Sequence, residues 1–64
     1  MTLEPGQRVR TLVELVASDG TLLAEGWIGH VIGYQGSKLL VDIRDQETDT
    51  SWTVTVNVWE VRRA

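Results

Sequence analysis

In two stretches of this chain an apolar side chain falls on every second residue, and that spacing constrains the fold more than any other feature. Leu39, Val41 and Ile43 alternate with Lys38, Asp42 and Arg44, with Leu40 the one exception. Trp52, Val54 and Val56 alternate with Ser51, Thr53 and Thr55. A period of two is the pattern of a strand with one buried face, and these residue types favour strands. A third stretch opens at Gln7, where Val9, Thr11, Val13 and Leu15 alternate with Arg8, Arg10, Leu12 and Glu14. Leu12 and Val16 break its polar side, so its far end is expected to be covered on both faces.

Glycines exclude the helical alternative for the middle of the chain. A helix over Leu22–Glu25 would be one turn long, and Gly26, Gly29 and Gly33 each cost about 1 kcal/mol relative to alanine in a helix. In a strand the same residues mark bulges and close backbone approaches. Turn signals separate the segments: Pro5-Gly6, Ser18-Asp19-Gly20-Thr21, Gln35-Gly36-Ser37 and the polar run from Asp45 to Thr50. Residues 58–63 read as a short last strand. Five short strands with turns between them predict a small antiparallel barrel.

That reading makes two local expectations. Gly29 occupies a bulge or a close backbone approach in the second strand. Val9, Ile28, Val31, Val41, Ile43, Val54 and Val61 share one core, with Val58 also turned inward. The whole chain, residues 1–64, forms one domain with 1–6 as a lead-in.

At 64 residues the core must be thin, and without cysteine there is no disulfide or thiolate metal site to reinforce it. Such a chain folds on packing alone or gains stability from a partner. The absence of cysteine fits a cytoplasmic setting, and Met1 to Glu4 reads as the start of a mature chain. No apolar run exceeds three residues, far short of a membrane span. The net charge of -3 disfavours a general nucleic-acid coat, although it leaves nucleic-acid binding possible.

Few residues invite chemistry. His30 is the only histidine and lacks partners at a recognisable spacing, so it reads as a surface or rim residue. Asp42, Asp45, Glu47 and Asp49 crowd one loop without the spacing or central glycine of a calcium loop, which predicts a solvated hairpin tip. No cofactor or metal ligand set is expected. Arg8, Arg10, Arg62 and Arg63 form the other charge group. Neighbouring first and last strands would place them on one flank, either free to meet phosphate or an acidic protein patch, or paired locally with Glu4, Glu14 or Glu60. Trp27, Trp52 and Trp59 are many indoles for so small a core. Either all three seal the rim of the barrel, or Trp59 faces outward as a contact anchor.

The order of these signals resembles a known group of folds. Gly6-Gln7-Arg8-Val9-Arg10 is followed by a long loop and then Glu25-Gly26-Trp27-Ile28-Gly29-His30-Val31-Ile32. Val41-Asp42-Ile43 and Val58-Trp59-Glu60-Val61 come after it. Across nearly the whole chain this resembles the Src-homology-3-like (SH3-like) barrels of small electron-transfer accessory proteins, namely the E-type family of photosystem I and the variable chain of ferredoxin–thioredoxin reductase. It is also similar to bacterial SH3-like domains of the same size. The resemblance implies an all-β fold, a five-stranded antiparallel, partly open SH3-like barrel.

Other relatives differ at the residues that matter. Peptide-binding SH3 domains carry paired tryptophans after the acidic loop, absent here. Type II dihydrofolate reductases share the opening stretch and a tryptophan-x-glycine. Their pore segment is valine-glutamine-isoleucine-tyrosine, where this chain has Val54-Thr55-Val56-Asn57. KOW modules share the glycine-rich strand and usually carry more Lys and Arg. The expected function is therefore a non-catalytic protein-interaction or accessory module, with a protein partner or self-association through Trp59, Arg62, Arg63, Arg8 and Arg10. The alternatives are a nucleic-acid-binding barrel and, third, a pore-type oligomeric enzyme.

Overall fold

The segment with the cleanest alternation lies at the centre of the main sheet. In the computed structural model, which describes residues 3–64, strand β5 (Lys38–Asp45) pairs on one side with β4 (Ile28–Gln35) and on the other with β6 (Thr50–Val56). Beyond β4 lie β1 (Arg8–Thr11) and β7 (Val61–Arg63), giving the antiparallel order β6-β5-β4-β1-β7. Two short strands, β2 (Leu15–Val16) and β3 (Leu22–Leu23), form a separate hairpin. No α-helix occurs among the described residues, and one 3-10 turn spans Val58–Glu60. Only residues 57–60 separate β6 from β7, the two edges of the main sheet. The sheet therefore curls toward itself, but its edges do not pair with each other. The fold is all-β and partly open in the SH3-like manner.

Each turn has a local cause. Gln35 pairs with Lys38, leaving Gly36 and Ser37 as a two-residue loop. Gly36 has φ +62°, the positive value that the first position of such a tight hairpin demands. Asp19 accepts a hydrogen bond from the Thr21 N–H at 2.9 Å, closing the β2–β3 turn. Of the lead-in, Met1 and Thr2 lie outside the described residues, and the rest is anchored: the Gly6 N–H donates to the Val31 carbonyl at 2.7 Å, and Leu3 packs against the core.

The core comprises Val9, Val31, Val41, Ile43, Val54 and Val61, as expected, together with Leu15, Ala17, Leu23, Leu39 and Val56. Ile28 is a correction. It pairs with Arg10 and lies half-buried on the outer face, because the inward position of β4 falls on Gly29. Gly29 is no bulge: it pairs in register with Val9 and Ile43. Its role is close approach, since a Cβ there would lie 2.5 Å from the Asp42 carbonyl oxygen and 2.9 Å from Ile43 Cδ1. The bulge lies further along the strand, where Ile32 and Gly33 together stand opposite Leu40.

Two other segments differ from expectation. The first strand ends at Thr11, and Leu12 and Val13 form an exposed bend before β2. The Leu12 N–H donates to the Glu60 carbonyl at 2.8 Å, one step beyond the Thr11↔Val61 pair on the β7 side. Residues 58–60 form the 3-10 turn rather than strand, so Val58 is exposed instead of entering the core.

Candidate interaction surface

Trp59 owes its position to the turn that carries it. The Glu60 carboxylate accepts the Asn57 N–H at 2.7 Å, and the Glu60 N–H returns to the Asn57 carbonyl at 3.0 Å. The Glu60 carbonyl is held by Leu12, so the turn is pinned from both sides. Val61 then enters the core opposite Thr11, while Val58 and Trp59 face solvent. Trp59 is 72% exposed, the most exposed large apolar residue among those described. Leu12 and Val13, beside this turn, are also exposed.

The arginine flank forms because β1 pairs with β7. Arg10 stands directly opposite Arg62, and Arg8 follows on the same face of β1, opposite His30. Arg63 pairs with Val9 and so belongs to the other face, at the open end of the strand pair. Three of the four expected arginines thus share a face. Like charges directly opposite in an antiparallel pair are destabilising. Among the described residues none of these arginines forms an ion pair with Glu4, Glu14, Glu60 or any other carboxylate.

Negative charge gathers elsewhere. Asp42 lies within β5 opposite His30, and the acidic tip is confined to residues 45–49. There the Asp45 carboxylate accepts the Glu47 N–H at 3.0 Å, and Arg44 pairs with Asp49, which raises the Arg44 pKa. No three His, Asp or Glu side chains among the described residues converge as metal ligands. No helix of the structure is long and apolar enough to cross a membrane.

Three features were not evident from the sequence. Trp27 and Trp52 meet with ring centroids 6.1 Å apart and planes at 31°, packing against the core. Two of the three indoles therefore brace the fold and the third does not. The Asp19 carboxyl is held below the usual carboxylate range by the Thr21 hydroxyl and N–H, with a contribution from the Trp52 side chain. Thr11 is the one buried polar residue of the core among those described: its hydroxyl donates to the Ala24 carbonyl and accepts the Trp27 N–H, both at 3.1 Å. The alternation around Val9 placed Thr11 inward, but nothing local identified its partners. A shallow depression of about 350 Å³ lies between Trp27 and the acidic tip, lined also by Gly26, Ile28 and residues 44–47.

Compared with known proteins, the chain matches no family model, no curated protein and no solved structure.

Proposed function

We propose that this chain is a small non-catalytic interaction module, of the accessory or regulatory kind, that docks an acidic protein surface through Trp59 and the arginines of β1 and β7. The observation that carries the reading is the Arg10–Arg62 pair. Two guanidinium groups face each other across a strand pair with no described carboxylate between them. That arrangement works against folding and becomes favourable when an anionic surface covers it. Trp59 supplies the apolar anchor beside it, with Leu12 and Val13 as its surroundings. Tryptophan and arginine are the residue types enriched at interface hot spots. The net charge of -3 leaves the rest of the molecule acidic, which keeps it soluble and orients the flank toward its partner. The cysteine-free chain suits a cytoplasmic setting.

The test is an NMR titration of the amide signals with two probes, poly-glutamate and a single-stranded oligonucleotide. Poly-glutamate should shift residues 8–13 and 57–63, and raised salt should abolish the effect. Tighter binding of the oligonucleotide at the same residues would replace this reading with nucleic-acid binding through stacking and phosphate contacts. Shifts confined to other residues, or none, would remove the flank as a docking site.

A further inference from the structure

The two edges of the main sheet are protected very unequally. β7 is three residues long and carries Arg62 and Arg63. Shortness and charge are the usual means by which a sheet edge avoids pairing with another chain. β6, at the opposite edge, has neither. Its seven residues, Thr-Ser-Trp-Thr-Val-Thr-Val, contain no charge and no proline. Its register with β5 runs through seven consecutive pairs without a bulge, from Asp45↔Thr50 to Leu39↔Val56. Among the described residues, no backbone hydrogen bond outside the sheet ladders reaches residues 50–56. The outer N–H and C=O groups of β6 thus form a regular, unpaired template.

We propose that β6 pairs with β6 of a second copy of this chain, antiparallel about a two-fold axis at Thr53, joining two five-stranded sheets into one. The register follows from the side-chain faces. A shift by one residue would set the outward Ser51, Thr53 and Thr55 against the inward Trp52, Val54 and Val56, exposing apolar surface. Among the registers that keep the faces matched, full overlap of the seven residues pairs Thr53 with Thr53, Ser51 with Thr55, Trp52 with Val54 and Thr50 with Val56. Threonine and serine make favourable cross-strand neighbours, and no like charges oppose each other.

Charge complementarity favours a second copy as the occupant. Antiparallel pairing sets the amino-terminal end of each β6, which follows the acidic turn with Asp45 and Glu47, beside the carboxyl-terminal end of the other. At that end of the sheet β5 begins with Lys38, next to the Leu39 that pairs with Val56, so each acidic turn lies toward a lysine of the other copy. Two-fold symmetry makes this contact twice. The pairing uses a different edge from the Trp59 flank and stands or falls separately from it.

The chain contains no cysteine, so single introduced cysteines report the register directly. Opposite residues in an antiparallel pair have Cα atoms about 4.5 or 5.5 Å apart, within disulfide range. Under mild oxidation Thr53→Cys should form a dimer faster than Ser37→Cys, an exposed hairpin-turn control, by at least about tenfold, because pairing raises the local thiol concentration. Ser51→Cys and Thr55→Cys should each stay monomeric alone and cross-link when mixed. In sedimentation the unaltered chain should show a dimer that Thr53→Lys abolishes, while the Thr53→Lys chain still melts cooperatively as a folded monomer. A monomer at all concentrations, with Thr53→Cys no faster than the control, would overturn the proposal. So would cross-linking of Thr53→Cys in a cell extract to a different protein but not to itself, which would assign the edge to a foreign strand.

Discussion

Replacing Gly29 by alanine adds one methyl group and tests the packing of β4 on β5. The new Cβ would lie 2.5 Å from the Asp42 carbonyl oxygen, 2.9 Å from Ile43 Cδ1 and 3.1 Å from Val41 Cγ1. The first contact is with backbone, so no rotamer change relieves it. Either β4 moves away from β5 or the Asp42 peptide tilts out of the ladder, and β1 follows because Val9 pairs with Gly29 on the other side. Overpacking of a core costs about 1–3 kcal/mol and sometimes more. With a carbonyl as the immovable partner we expect about 3 kcal/mol for Gly29→Ala and a larger loss for Gly29→Val. A domain of this size has about 3–10 kcal/mol in total, so the valine variant should be largely unfolded. Gly33→Ala is the control: nothing lies within 4 Å of its Cβ and its φ is not positive. There the substitution should be neutral or stabilise by about 0.4–1 kcal/mol, through the unfolded state. Urea melts followed by tryptophan fluorescence give both values. Coincident midpoints for Gly29→Ala and Gly33→Ala would refute the close-approach argument.

The same assay checks four further expectations. Thr11→Val removes a hydroxyl that serves both the Ala24 carbonyl and the Trp27 N–H; the unsatisfied groups should cost about 1–3 kcal/mol each, and Thr11→Ser should recover most of the loss. Ile43→Ala, at a fully buried site, should cost about 2–5 kcal/mol, whereas Ile28→Ala on the outer face should cost clearly less; equal losses would return Ile28 to the core. Trp59→Ala should change stability by less than about 1 kcal/mol, as at other surface sites, while weakening poly-glutamate binding. Because the folded-state pKa of Asp19 is depressed, its contribution is present above the ordinary carboxylate pKa and is lost as pH falls through the lower folded value; Asp19→Asn should therefore flatten the acid limb of the stability profile, and an unchanged limb would remove Asp19 from that account.

The parts legible from sequence were those set by a single buried face. Lys38–Arg44 and Ser51–Val56 alternate because one side of each strand meets the core, and both form strands with the expected residues inward. The central glycines were read correctly as non-helical, but their roles depend on the opposite strand. Gly29 is flush because β5 approaches it, and Gly33 sits in the bulge because only Leu40 stands opposite Ile32 and Gly33. Leu12–Val16 kept the pattern of a continuing strand, yet the chain bends after Thr11, where the Leu12 N–H makes its contact with the Glu60 carbonyl far away in sequence. The same contact pins the 3-10 turn that turns Val58 outward along with Trp59. Within the candidate surface the β1–β7 flank could be read in advance, whereas for Trp59 both the rim-sealing and the outward readings were open, and the 3-10 turn decides between them. The opposite facing of Arg63 follows from the same period of two, because Arg62 and Arg63 are neighbours in one strand; the register adds that Arg62 is the one opposite Arg10.

The most direct test of the docking surface is photo-cross-linking from position 59 in extract of the source cells. A benzophenone side chain replaces Trp59 there, and Ser37, exposed in the β4–β5 turn, serves as control position. The account predicts an adduct at position 59 with a protein whose attached segment is acidic, lost in Arg10→Glu/Arg62→Glu and absent from position 37. Adducts that persist after the charge reversal, or that form equally from position 37, would contradict it.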